Sequence, residues 1–357
     1  MAQSFHRLGI QKIIRETPDA VAITFQVPDE LKDSFRFREG QYLTIKKEIA
    51  GEEIRRSYSI CSAPHEQTLT VAIKKVPGGK FSSYAVDELT EKDSLDLMSP
   101  AGNFYARTAS VSNPHYLAIA AGSGITPIIA IVKHVLHTQP DSHFTLVYGN
   151  QHRGSIIFFE ALEDLKNKYM NRLTLMHVLS REKTDADIFH GRIDGNKLNE
   201  LSALIDYSNI QSAYLCGPEE MIFNAKAALE ARGISSSNIH FELFTTGAMQ
   251  KTKNEEIVED DDSPKSQVTI RLDGRTFSFD LSMQGKNILD AALQQGADLP
   301  FACKGGVCCT CRAKLLEGQV KMDVNYALEP EELERGFILT CQSHPTTEKV
   351  FIDFDEK

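Results

Sequence analysis

Four cysteines lie within the nine residues CKGGVCCTC, Cys303 to Cys311, in a chain that has only three others. Thiolate sulfur is a ligand for soft and borderline metals, so a crowd of thiols asks first for a metal centre. Cys303, Cys308 and Cys311 form C-x4-C-x2-C, and Cys341 follows in ILTCQSHP. That is the ligand spacing of a [2Fe–2S] cluster, in which each iron takes two sulfurs from the protein. Gly305 and Gly306 suit a loop that wraps closely round a cluster and turns its N–H groups toward sulfur. Zinc is the rival, but structural zinc sites come as two short pairs, whereas here three ligands share one loop and the fourth stands apart. Cys309 is the surplus thiol. Taking it in place of Cys308 gives spacings of x5 and x1, which fit neither metal, so it reads as a small residue filling the loop.

A chain of 357 residues is long enough for two or three domains to carry this loop. With 41% hydrophobic and 25% charged residues it has the composition of a globular protein. A net charge of −10 argues against nucleic acid, whose phosphates require clustered Lys and Arg. The N-terminal MAQSFHRLGIQKII lacks the apolar run of a signal peptide. The most apolar stretch, YLAIAAGSGITPIIAIVKHV, is interrupted by Gly122, Gly124, Thr126, Pro127 and Lys133, which excludes a membrane span. An odd, crowded set of seven cysteines does not suit a secreted disulfide framework, and the cytoplasm is the expected compartment. The eleven histidines are scattered, without metal-ligand spacing.

The pattern changes three times along the chain. Residues 1–107 hold short alternating runs such as AVAITFQV, QYLTIKK and LTVAIKKV, with one brief helical pattern near SSYAVDEL, and predict a small antiparallel β-barrel. Residues 108–245 alternate strand and helix, from HYLAIAAG and PIIAIVKHVLHT to AYLCG and EEMIFNAKAALEARG, which predicts an α/β domain with a parallel sheet. Residues 246–265 form a polar linker whose acidic run, Glu255 to Asp262, reads as a solvated tether. In residues 266–357, QVTIRLDGRTFSFDL predicts a hairpin turning at Asp273-Gly274, followed by a helix at NILDAALQQG and the cysteine loop.

LPFACKGGVCCTCRAKLLEG resembles the cluster loop of plant-type ferredoxins, and the segment before the tether resembles the ferredoxin–NADP⁺ reductase family. The likeness spans essentially the whole chain, in the order of reductases that carry a C-terminal ferredoxin. It is nearest to the reductase subunits of a ring epoxidase, through RRSYSICSAP, VAIKKVPGGKFSSYA and CKGGVC. It implies a multidomain fold: a β-barrel for FAD, an α/β domain for the nicotinamide nucleotide, and a β-grasp ferredoxin domain.

By the same resemblance, Arg56-x-Tyr58-Ser59 is the flavin-binding motif. Tyr58 would cover the ring system, Ser59 would reach flavin N5, and Arg56 would meet the pyrophosphate. In PGGKFSSYAVDEL, the backbone N–H groups of Gly79, Lys80, Phe81, Ser82 and Ser83 at a helix start could bind the FAD diphosphate. Cys61 reads as a buried small residue. AAGSGITP is similar to the family's G-x-G-x-T-P turn, with Gly122 and Gly124 admitting the dinucleotide, Thr126 adding a hydroxyl and Pro127 fitting the first helical turn. Cys216-Gly217-Pro218 resembles the element beside the nicotinamide ring, where Cys216 would shape the pocket. Ser180 and Arg181, assisted by Arg153, occupy the place where the family reads the adenosine ribose; a hydroxyl and cations there favour NADPH. Asp185 and Asp187 keep NADH open. Glu242 and Phe244 in HFELF fall where related reductases approach the flavin, and the residues alone assign Glu242 neither a proton-transfer role nor a purely structural one.

The implied path runs from NADPH to FAD to the cluster to an outside acceptor. FAD takes two electrons together and passes them on one at a time. The acceptor would be the oxygenase component of a multicomponent monooxygenase or epoxidase, with other aromatic-ring oxygenases and hydroxylases as alternatives. A non-enzymatic iron–sulfur redox sensor is the remaining reading. It would not need the complete cofactor series from Arg56 to Cys216.

Overall fold

The computed structural model of the chain describes residues 5–107, 111–244 and 263–356. The first six strands are β1 (His6–Thr17), β2 (Ala20–Gln26), β3 (Tyr42–Ile49), β4 (Glu52–Ser59), β5 (Leu69–Lys74) and β6 (Ser94–Leu97). They pair antiparallel in the order β4-β3-β6-β1-β2-β5. A bridge from Ile60 to Val71 brings the end of β4 to β5 and closes the expected barrel. Alternation makes β2 a strand with two uses. Val21, Ile23 and Phe25 fill the barrel with Phe81, Ala85 and Val86 of helix α1 (Lys80–Asp87). Ala20 and Ala22 face outward, and with Ala72, Phe104 and Ala106 they join a second core that belongs largely to the next unit.

That unit is a five-stranded sheet of β7 (His115–Ala121), β8 (His143–Asn150), β9 (Leu173–Leu179), β10 (Ile210–Gly217) and β11 (Ile239–Leu243). All its neighbours are parallel, in the order β11-β10-β7-β8-β9. In β7, Tyr116, Ala118 and Ala120 pack with α2 (Ile125–Thr138) and α3 (Phe159–Lys168). Leu117 and Ile119 pack on the opposite face with α4 (Gly195–Glu200) and α5 (Glu219–Glu230). A strand apolar on both faces is what a covered parallel sheet demands.

The third unit contains β12 (Lys265–Leu272), β13 (Arg275–Ser282), α6 (Ile288–Gln294), β14 (Arg312–Glu317), β15 (Val320–Met322), α7 (Pro330–Glu334), β16 (Phe337–Leu339), β17 (Ser343–Pro345) and β18 (Lys349–Asp353). Its main sheet runs β13-β12-β18-β14-β16, and β15 pairs with β17. The β12–β13 hairpin turns at Asp273 (φ 51°) and Gly274 (φ 71°), both left-handed, as the expected Asp-Gly signal requires. The core of this unit draws only on its own residues, from Val268 to Phe354. The acidic run of the expected tether lies outside the described residues. β12 begins at Lys265, the last residue assigned to that linker, because Lys265 already pairs with Ser282. No helix among the described residues is long and apolar enough to cross a membrane.

Candidate functional site

β4 alternates Arg55 in, Arg56 out and Ser59 in, with Tyr58 half-buried. The Tyr58 ring lies 5.6 Å from that of Phe81, so helix α1 supports it from behind. Ser59 Oγ donates to Glu242 Oε2 at 3.0 Å, joining the end of β4 to the end of β11. Glu242 is the register partner of Cys216 on β10, and Cys216 pairs in turn with Ala120 on β7. Side chains separated by 183 residues thus meet at the carboxyl ends of parallel strands, the usual place for a ligand crevice in an open α/β sheet. Burial pushes the Glu242 carboxyl up to about 7, against the pull of the Ser59 hydrogen bond. Burial and the neighbouring Glu242 push the Cys216 thiol well up, which keeps it protonated and unreactive. Sequence reasoning leaves Glu242 unassigned, since nothing local to HFELF announces a partner on another domain.

The helix-start cradle is narrower than expected. The Gly79 amide donates to the Val76 carbonyl at 2.9 Å, and the Ser83 amide to Gly79 at 3.1 Å. The Ser82 hydroxyl accepts from the Val76 amide and bonds back to Gly79, and Phe81 puts its ring in the barrel core. The amides of Lys80, Phe81 and Ser82 are the orphan donors that open α1. Lys80 itself pairs with Glu52, and Arg56 Nη1 donates to its neighbour's carbonyl. These groups can still receive an anion: an exposed guanidinium on β4 and three amides at a helix N-terminus suit a diphosphate.

In the glycine turn both Thr126 and Gly124 are also engaged within the protein. Thr126 is buried and its hydroxyl donates to the Ser123 carbonyl at 3.0 Å, so it locks the turn instead of offering a free donor. Gly124 is dictated by the protein, because a Cβ there would lie 2.1 Å from the Cys216 carbonyl oxygen. Gly122 is different: it is left-handed (φ 54°) with open space in front of it, and Tyr148 holds its carbonyl through a 2.8 Å hydrogen bond. Pro127 sits in the first turn of α2, and Pro218 precedes α5 as its N-cap next to Gly217. Beyond β8 and β9, two loops are laced together. Ser180 and Arg181 donate their amides to Asn150 and Gln151, and Glu182 accepts from the Arg153 amide at 2.7 Å. Arg153 and Arg181 are exposed on these adjacent loops, with Arg153 stacked 4.7 Å over Phe159.

The four spaced thiols converge. Cys308 Sγ lies 3.1 Å from Cys303 Sγ, and Cys341 contacts the thiols of both Cys303 and Cys311. The amide of Gly305 points at Cys303 sulfur (3.3 Å), and Gln342 Nε2 at Cys341 sulfur (3.6 Å). Two irons divide four thiolates between them, so the donor set and its amide surround fit a [2Fe–2S] cluster. Cys309 turns the other way, its thiol donating to the Ala327 carbonyl at 3.2 Å. Cys61 is buried, as read from sequence.

The family described as "Oxidoreductase FAD-binding domain" matches residues 7–105. "Oxidoreductase NAD-binding domain" matches residues 118–227, and "2Fe-2S iron-sulfur cluster binding domain" matches residues 270–346. The chain is 46% identical to one of the subunits of the "1,2-phenylacetyl-CoA epoxidase" of Escherichia coli (strain K12), covering 99% of each. It is 32% identical to the "3-ketosteroid-9-alpha-monooxygenase, ferredoxin reductase component" of Rhodococcus rhodochrous, over 97% of this chain and 96% of that one. The solved structure of phthalate dioxygenase reductase superposes with a TM-score of 0.59 at 20% identity, over 98% of both chains, which is a likeness of fold.

Proposed function

The chain belongs to the family of oxygenase reductase components that join FAD-, NAD- and [2Fe–2S]-binding domains, and from that membership we propose that it passes electrons from NADPH to a phenylacetyl-CoA epoxidase in phenylacetate degradation. One observation carries the reading. The strand pair β3–β4 touches the nucleotide unit through Ser59 and Glu242, and touches the cysteine loop through Tyr42, whose hydroxyl accepts from the Cys309 amide at 2.9 Å. Tyr42 and Ser59 are opposite each other in register, so donor, carrier and acceptor units share one pair of strands.

Bound FAD would supply the two-electron to one-electron conversion. Tyr58 and Ser59 would line it, and Arg56 with the α1 amides would hold its diphosphate. Cys216, Gly217 and Pro218 would form the wall of the nicotinamide pocket beside the Gly122 turn. Cys303, Cys308, Cys311 and Cys341 would hold the cluster. A cytoplasmic setting, where thiols stay reduced, suits an odd set of seven cysteines of which four would hold a cluster.

The test mixes the purified protein with the oxygenase subunits of a phenylacetyl-CoA epoxidase, NADPH, oxygen and phenylacetyl-CoA. Mass spectrometry follows the epoxide while absorbance follows NADPH. Epoxide formed only when this chain is present supports the reading. NADPH oxidation that reduces flavin and cluster without product removes the partner and keeps the reductase.

Arg153 and Arg181 on adjacent loops support NADPH, since two guanidinium groups can fork a 2′-phosphate. Glu182, which accepts the Arg153 amide, supports NADH as the second reading, because an acid there suits a free ribose diol. Arg181→Ala is expected to raise KM for NADPH by about tenfold or more, and to leave KM for NADH within about twofold. Equal losses for the two nucleotides in steady-state turnover with an artificial acceptor would remove the 2′-phosphate contact.

A further inference from the structure

Tyr42 has the ordinary sequence setting of an alternating strand, QYLTIKK, yet its surroundings are not those of a filler. It is buried at the junction of the barrel and the third unit, packed with Ala302 and Cys308 and flanked by Ala101 and Cys303. Its backbone is pinned twice to Ala101, the Tyr42 amide donating at 2.8 Å and the Ala101 amide returning the bond at 3.0 Å. Its ring lies so close to Gly102 that a Cβ there would stand 2.9 Å from the ring carbon Cδ1. The barrel therefore holds this ring in one place, and the hydroxyl at its tip is presented to the cysteine loop.

What the hydroxyl meets is specific. It accepts the Cys309 amide at 2.9 Å and lies 3.3 Å from Thr310 Oγ1. Thr44, two residues on and on the same face of β3, places its own hydroxyl 3.2 Å from Thr310 Oγ1. Cys309 and Thr310 lie between the thiols of Cys308 and Cys311. Around the loop, the Gly305 amide turns to sulfur, whereas the Cys309 amide is taken by a residue 267 positions away. That pairing exists only while the third unit rests on β3.

We propose that Tyr42 is a positioning residue for electron transfer between flavin and cluster: it seats the cysteine loop against the strand pair that carries Ser59 and takes up the Cys309 amide. The inference rests on the reading of β4 as the flavin strand and of the four thiols as cluster ligands. The step it serves moves one electron from reduced flavin to one ferric iron of the cluster, which becomes ferrous; no bond is made or broken. Tyr42 itself donates no electron and takes no proton. It fixes the relative placement of the two ends, and it withholds one amide and the surrounding water from the cluster sulfurs. Amide hydrogen bonds and solvent both stabilise the more negative, reduced cluster.

The experiment uses the full holoprotein and Tyr42→Phe, which keeps the ring and its packing. Stopped-flow absorbance separates flavin reduction by NADPH from reduction of the cluster, and a redox titration followed by electron paramagnetic resonance gives the cluster potential. Flavin reduction is expected unchanged. Flavin-to-cluster transfer is expected to slow by about tenfold, the weight of the lost hydroxyl contacts at a buried amide. The cluster potential is expected to move to a more positive value, as the Cys309 amide released from Tyr42 turns toward sulfur while the retained ring keeps the packing. Unaltered transfer and unaltered potential in Tyr42→Phe, beside a wild-type protein that performs both steps, overturn the role of Tyr42 and leave the reductase reading intact. A wild-type cluster that never accepts electrons from the flavin overturns both.

Discussion

Replacing Cys308 by serine is expected to abolish the visible absorption of the iron–sulfur cluster and its bound iron, whereas Cys309→Ser keeps both. The two residues are neighbours of one type, and the difference lies in where their sulfurs point. Cys308 is buried with its sulfur 3.1 Å from that of Cys303. A serine hydroxyl there is a harder donor that holds its proton far more tightly than a thiol, so it neither ionises readily nor suits the iron. Cys309 sends its thiol to the Ala327 carbonyl, and burial holds that thiol up at about 12, out of reach of deprotonation. A serine in its place still donates to Ala327, and the backbone amide that meets Tyr42 is untouched. The expected cost is below about 1 kcal/mol. The check is the visible spectrum with an iron-to-protein ratio on both purified variants. A bleached Cys309→Ser protein would exchange the roles of the two cysteines.

Glu242→Gln is expected to stabilise the protein, and increasingly so as the pH rises. Burial lifts the Glu242 carboxyl from 4.5 to about 7 in the folded chain. A raised acid keeps its proton in the folded state after the unfolded chain has lost it, so the folded state binds more protons and stability falls with rising pH. The loss begins near pH 4.5, grows through the interval and is complete above about pH 7. At 1.36 kcal/mol for each tenfold change in proton affinity, it amounts to about 1 kcal/mol near pH 5.5 and about 3 kcal/mol near pH 8. Glutamine keeps an acceptor for the Ser59 hydroxyl and never ionises, so the variant escapes this cost. Denaturant unfolding of both proteins at those two pH values measures it. A pH-independent difference between them would mean that Glu242 ionises in the fold as it does in water.

Some of this is legible in the sequence because the relevant physics is local. The Asp273-Gly274 turn needs two left-handed residues in succession, and only a few residue pairs allow that. The cysteine loop is legible because metal ligation fixes residue type and spacing together. Strand–helix alternation between His115 and Leu243 is equally plain, since each strand must be apolar on both faces. What escapes depends on distant partners. Glu242 acquires its raised proton affinity from burial beside Ser59, on a different domain. Tyr42 looks like any strand aromatic until the third unit is laid against it. The glycine motif does not disclose that the Cys216 carbonyl forbids a side chain at Gly124. Nor does the motif disclose that the Thr126 hydroxyl donates to the Ser123 carbonyl of its own turn. Short helices such as α4 and α7 have too few residues to show a period.

The alanines on the outer face of the barrel have a consequence for how the chain is made. Ala20, Ala22 and Ala72 belong to a core completed by Ile128, Ile131 and Leu165, so the first strands leave the ribosome with an apolar flank uncovered until α3 has been synthesised. Barrel and nucleotide unit mature as one cooperative block, and a gene rearrangement that splits them leaves a wet hydrophobic wall on each half. The third unit carries its main core within itself. It is the piece that can be moved as a unit, provided the contacts made by Tyr42, Arg55, Asn103 and Arg107 are regained.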